Sequence, residues 1–174
     1  MRYECGISDL KKMKAWGNFE VSVPKSRKSI AEVHQSDNMD ISEDKGNIEV
    51  HTVGNIDTDI YKCITEDIRT DEVIITDNQM QHIFERHPKS YEKVLGHMRD
   101  TISNPDYIIR DKHKFSELVI KRLETDEGMI QMVLRICTSE DDPKYKNSII
   151  SCWEISERRL QNYLRNKEIL YSRE

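Results

Sequence analysis

The densest chemistry in the chain lies in Gln81-His82-Ile83-Phe84-Glu85-Arg86-His87-Pro88. On a helix, His82 and Arg86 stand at i and i+4 and share a face, while His87 sits at the helix end ahead of Pro88. An imidazole, a guanidinium and a second imidazole can therefore converge near one point. Such a set moves a proton at a phosphodiester: a base titrating near neutrality, a fixed cation for the anionic phosphorane, and an acid. The plainer alternative is structural, with His82 packed and Arg86 paired to Glu85 or Asp77. His82 and His87 are five apart, which does not aim two imidazoles at one ion, and no nearby Cys or carboxylate offers an obvious third ligand. No metal and no cofactor are expected.

Two other stretches carry candidates. In Asn147-Ser148-Ile149-Ile150-Ser151-Cys152-Trp153, strand alternation puts Ser151 and Ile149 on one side and Ile150 and Cys152 on the other, and the Ser151 hydroxyl could bond a phosphate oxygen. Ser116 and Lys121, with His113 and Lys114 just before, form the third group, in which Lys121 could contact a phosphate. A polar strand face and a solvated surface lysine are the competing fates of these residues.

The elements that must position these groups follow from pattern. Thr76-Asp77-Asn78-Gln79 fits a capping box and starts a helix whose buried face is Met80, Ile83 and Phe84; Pro88 ends it. Tyr91, Val94, Leu95, Met98 and Ile102 recur at helical spacing up to Asn104-Pro105. Four strand candidates follow: Tyr107–Ile109, Leu118–Leu123, Met129–Cys137 and Ile149–Trp153. Ser156 caps a last helix with Leu160, Tyr163 and Leu164 on one face. Before these, Ile48–Val53 and Val73–Ile75 are strand-like and the text around Tyr61 is mixed. Runs of one element type imply an α+β fold: two N-terminal helices packed on one face of a four-stranded antiparallel sheet, with a C-terminal helix.

Composition narrows the function classes. The 174 residues are 34% charged and 36% hydrophobic, with mean hydropathy −0.75, and hold no apolar run long enough to span a bilayer. Met1–Leu10 has no apolar stretch of the kind a secretory leader needs. The net charge of −5 argues against a protein that coats nucleic acid non-specifically. It is uneven: residues 1–75 carry the whole deficit, with 10 Lys/Arg against 15 Asp/Glu, while the remainder balances. Cys5, Cys63, Cys137 and Cys152 are widely spaced, as expected of reduced thiols in a cytoplasmic protein. Ser8–Trp16 reads as a short helix and Phe19–Val23 as a strand. From Pro24 to Gly46 the text turns to Lys, Ser, Asp and Glu. Residues 1–47 are thus expected to be an arm and linker, partly mobile, ahead of a domain at 48–174.

The stretch from Thr70 to Glu174 resembles the phage barnase–EndoU–colicin–RelE-like nuclease families of phage and mobile elements. The matching text is Thr70–Thr76, His82-Ile83, Arg86-His87-Pro88, Asn104–Ile108, Asn147–Ser151 with Trp153, and Lys167–Tyr171. The resemblance implies a metal-independent endoribonuclease leaving a 2′,3′-cyclic phosphate. His82 would be the general base and His87 the acid, or the reverse, with Arg86 and Ser151 at the phosphate and Ser116 and Lys121 binding substrate. Ser151 and Ser116 stand where the family has, or is expected to have, Thr; both keep the hydroxyl. Implied partners are RNA, with tRNA as the family-style target, and a cognate inhibitor if the chain is a toxin. A competing expectation is an inactive binding module on the same fold, engaging a protein through the acidic arm.

Overall fold

The structure, a computed structural model, describes residues 48–124 and 128–173. The expected helix at 8–16, strand at 19–23 and arm at 1–47 lie outside the described residues. The order is β1 Val50–Asn55, α1 Thr58–Tyr61, β2 Glu72–Thr76, α2 Asp77–Arg86, α3 Tyr91–Ser103, β3 Tyr107–Arg110, β4 Ser116–Arg122, β5 Met129–Arg135, β6 Asn147–Ile155, α4 Glu157–Asn166 and β7 Ile169–Ser172.

The α+β class holds, but the sheet is not four-stranded and not antiparallel throughout. It has seven strands in the order β1-β2-β6-β5-β4-β3-β7, and β2 pairs with β6 in parallel. The four expected strands form a contiguous antiparallel block. A parallel partner 74 residues away, Val73 beside Asn147, leaves no turn signal between the two strands, so β2 gives no local sign of its place beside β6. β7 is short and half-exposed, and it closes the free edge of β3, pairing Tyr107 with Ser172 and Ile108 with Tyr171. The two helices after β2 are therefore not N-terminal to the sheet.

Nor do the helices share one face. Residues opposite each other in an antiparallel ladder point the same way. Leu118, Ile120 and Met129 cluster with Ile109, Ile155 and with Leu160 and Tyr163 of α4 on one face. Their neighbours Val119, Ile130 and Met132 are fully buried on the other. There α3 packs, with Lys93 bonded at 2.9 Å to Glu154, which stands opposite Ile130. Covering both faces explains why the central strands read as near-continuous apolar runs.

On the α3 side, β1 bulges between Thr52 and Gly54, and a Cβ at Gly54 would lie 3.3 Å from Arg99 Cγ. Arg99 Nε donates to the Val53 carbonyl at 3.0 Å across this close approach. Tyr61, in the single turn of α1, is fully buried and donates its hydroxyl to the Ile102 carbonyl at 2.9 Å. Cys63, Cys137 and Cys152 are free thiols. Among the described residues no helix is long and apolar enough to cross a membrane.

Candidate active site

The start of α2 is fixed as the sequence indicates. Gln79 N donates to Thr76 Oγ1 at 3.4 Å and Gln79 Oε1 accepts from Thr76 N at 2.8 Å, which closes the capping box. The Gln79 amide also donates from Nε2 to Ser148 Oγ at 3.1 Å, tying the helix start to β6. Met80 and Ile83 are buried. Phe84, expected beside them, is 45% exposed and meets the Tyr91 ring edge-on, with ring centroids 5.2 Å apart. One residue past Ile83 turns about 100° around the helix, away from the sheet.

His82 and Arg86 lie exposed, one turn apart, and neither side chain makes a hydrogen bond or ion pair among the described residues. The two carboxylates that could have held Arg86 are engaged: Glu85 accepts from Gln81 at 2.8 Å, and Asp77 lies 2.7 Å from His51 Nε2. His87 is the C-cap, leaves helical geometry, and stacks its ring on Trp153 with centroids 5.5 Å apart and planes at 17°. Partial burial lowers the His87 pKa below the ordinary imidazole value, and the nearby His82 and Arg86 lower it further. An imidazole so placed is a neutral base at neutral pH, beside a guanidinium and a second imidazole.

Trp153 stands opposite Gln131 and Ser151 opposite Val133, so both share the sheet face that α4 covers farther along. Ile150 is an extra residue in β6, since Val133 pairs with Ser151 and Leu134 with Ile149. This bulge overturns the strict alternation expected here. Ile149 and Cys152 share the α3 side, while Ser148 and Ser151, three apart, share the other. Ser151 is buried at 9% exposure.

Ser116 lies on the same face, two strands from β6, opposite Arg135, which in turn stands opposite Ser148. Lys121 is on the α3 side, opposite Ile130, 3.7 Å from Asp106. The fold thus brings His82, Arg86 and His87 together, sets Ser151 and Ser116 on the face next to them, and turns Lys121 away.

Three functional candidates escaped sequence reasoning. Gln79 was legible as a cap but not as a tie to Ser148. Arg135 was legible as a charge inside an apolar run; it pairs with Asp141 at 2.7 Å. Gln131 is 1% exposed, and its Oε1 has no hydrogen-bond partner among the described residues. Among the described residues, ligand atoms of Glu49, His51 and Asp77 lie within 4.8 Å of one another, away from the His87 cluster. Asp77 is ten residues from His87, about 15 Å along a helix, so an ion there would not touch the His87 ring.

Residues 49–172, more than two thirds of the chain, match the family described as phage-Barnase-EndoU-ColicinE5/D-RelE like nuclease2. The chain belongs to this nuclease family. The match spans every strand and helix described above in full, and it includes the His82, Arg86 and His87 cluster and Ser151. No curated protein and no solved structure matches the chain. The sheet face bearing Trp153 and Ser151 is flanked by the end of α2.

Proposed function

We propose that this nuclease is a metal-independent endoribonuclease. His87 takes the proton from a ribose 2′-OH, the 2′-oxygen attacks phosphorus, and the bond to the 5′-oxygen breaks as His82 delivers a proton to it. The products are a 2′,3′-cyclic phosphate and a 5′-hydroxyl. Arg86 stabilises the pentacoordinate phosphorane, and the Ser151 hydroxyl donates to a phosphate oxygen. Base and acid are assigned by environment: the stacked, partly buried His87 stays unprotonated to lower pH than an ordinary imidazole, which suits a base.

The observation that carries this reading is the His87 ring held on Trp153 beside two exposed, uncommitted groups, His82 and Arg86. A cluster kept only for packing would be buried and satisfied, so its exposure favours chemistry over an inactive binding module. The test is cleavage of total RNA and of tRNA in excess EDTA by wild type, His87→Ala and His82→Ala. Cleavage that survives the chelator, ends in a cyclic phosphate and is lost in both variants supports the reading. Equal cleavage by wild type and the double variant His82→Ala, His87→Ala would overturn it. In a growing cell the same activity makes the chain a toxin that needs a cognate inhibitor; growth arrest on expression, relieved by His87→Ala, tests that role.

A further inference from the structure

The connection between β3 and β4 is Asp111-Lys112-His113-Lys114-Phe115, and with Arg110 and Glu117 it borders an open recess of about 410 Å³. Its acidic groups are already matched. Glu117 is fully buried and accepts from Arg110 Nη1 at 3.1 Å and from Asp111 N at 2.7 Å. Asp111 lies 3.2 Å from Lys167. Lys112 is exposed with no ion pair among the described residues. Lys114 reaches Glu140 only at 3.9 Å, with both side chains about three-quarters exposed, a contact of little energy. In a chain of net charge −5, this loop is a local concentration of unmatched cations.

Phe115 sharpens the picture. Its φ is 60°, the left-handed region that costs a bulky side chain about 1–2 kcal/mol and that glycine would occupy freely. The loop backbone holds it there: Ile136 N donates to the Phe115 carbonyl at 2.8 Å and Ser116 N to the His113 carbonyl at 3.1 Å. A phenylalanine kept at a strained position, with Lys114 Nζ 4.4 Å above its ring, presents an aromatic surface next to two lysines.

The loop is also joined to the site by the sheet. Ser116, Arg135 and Ser148 form one row across β4, β5 and β6, about 10 Å at the usual strand spacing, and Ser148 meets Gln79 at the start of α2. His87 stands eight residues beyond Gln79, about 12 Å farther along α2, so a strand of nucleic acid reaching from the His87 cluster to the lysines would span about 20 Å, several nucleotides.

Resting on the endoribonuclease reading, we propose that the Lys112–Phe115 loop is a second subsite for single-stranded RNA: Lys112 and Lys114 hold phosphates several nucleotides from the cleaved bond, and the Phe115 ring stacks a base. The test uses the full chain in a His87→Ala background, with labelled single-stranded oligoribonucleotides of about 4 and about 12 nucleotides, read by fluorescence anisotropy over a salt series. Adding Lys112→Ala and Lys114→Ala should weaken binding of the longer oligonucleotide about tenfold at low salt and reduce the slope of log K on log salt by about 1.4, the share of two phosphate contacts on a single strand. Phe115→Asn, which tolerates the left-handed backbone, should weaken binding about fivefold or more while keeping the salt slope. Unchanged affinity and slope in the lysine variant, or no binding of either oligonucleotide before the loop is altered, would overturn the proposal. Cleavage by wild type is read in parallel. Loop-dependent binding without any cleavage would sink the endoribonuclease reading and leave the subsite standing.

Discussion

His87 at the end of α2 lies flat on Trp153 of β6, their ring centroids 5.5 Å apart. The contact joins the helix that carries three candidate catalytic groups to the strand that carries Ser151. It also withdraws His87 from water, which is the first cause of its lowered pKa. Trp153→Leu should therefore move the His87 pKa back toward the ordinary imidazole value and lower kcat by about tenfold through loss of positioning. Trp153→Phe, which keeps a stacking partner, should do much less. Imidazole proton NMR titration beside cleavage kinetics checks both.

The pH dependence follows with a definite sign. Because folding lowers the His87 pKa, the unfolded chain binds more protons between the lowered value and about 6.5. The His87 contribution to stability is fully present above about pH 6.5 and is lost as pH falls toward the folded value. The acid limb of kcat/KM, set by the base in free enzyme, should lie below that of an unperturbed histidine. Urea unfolding of wild type and His87→Asn across this range reads the stability part. An equal pH slope in the two proteins would contradict it.

The Gln79 side chain caps α2 and bonds Ser148. Gln79→Ala should cost about 1 kcal/mol in stability. It should also lower cleavage more than Gln81→Ala, which removes only the exposed bond to Glu85. Thermal melts and cleavage rates on the three proteins decide it.

Gln131 buries an acceptor that has no partner among the described residues. Burial of such a group costs about 1–3 kcal/mol, so Gln131→Leu, close in volume, should leave stability unchanged or raise it. A chemical-denaturation midpoint measures this directly, and a loss of more than about 1 kcal/mol would show that the amide is bonded in solution.

Lys121 faces α3 and pairs with Asp106. Lys121→Ala should leave kcat/KM unchanged and cost about 1 kcal/mol or less in stability, since Asp106 keeps the Arg122 amide at 2.6 Å and the Arg173 guanidinium at 3.8 Å. A fall in kcat/KM without a fall in melting temperature would place Lys121 at the substrate after all.

The local elements were legible because their causes are local. Thr76 with Gln79, the Met80 and Ile83 spacing, Pro88, the run from Tyr91 to Ile102 and Ser156 each act within a few residues, and the helices begin and end accordingly. The His82, Arg86 and His87 cluster was legible for the same reason: one helix and its cap hold it. What the sequence by itself determined is therefore the helices from α2 onward, the four central strands, the placing of His82, Arg86 and His87 at one helix end and, through residues spread from Thr70 to Tyr171, the family. Only the tertiary structure decided the rest. The parallel β2–β6 pair and the β3–β7 edge join distant segments by backbone hydrogen bonds that any residue can make, so side-chain pattern does not announce them. The extra residue at Ile150 reversed which side chains flank Ser151, and packing against β6 put Trp153 under His87. The face a strand residue takes, and hence the fate of Lys121, depends on register, and register is fixed only when the strands meet.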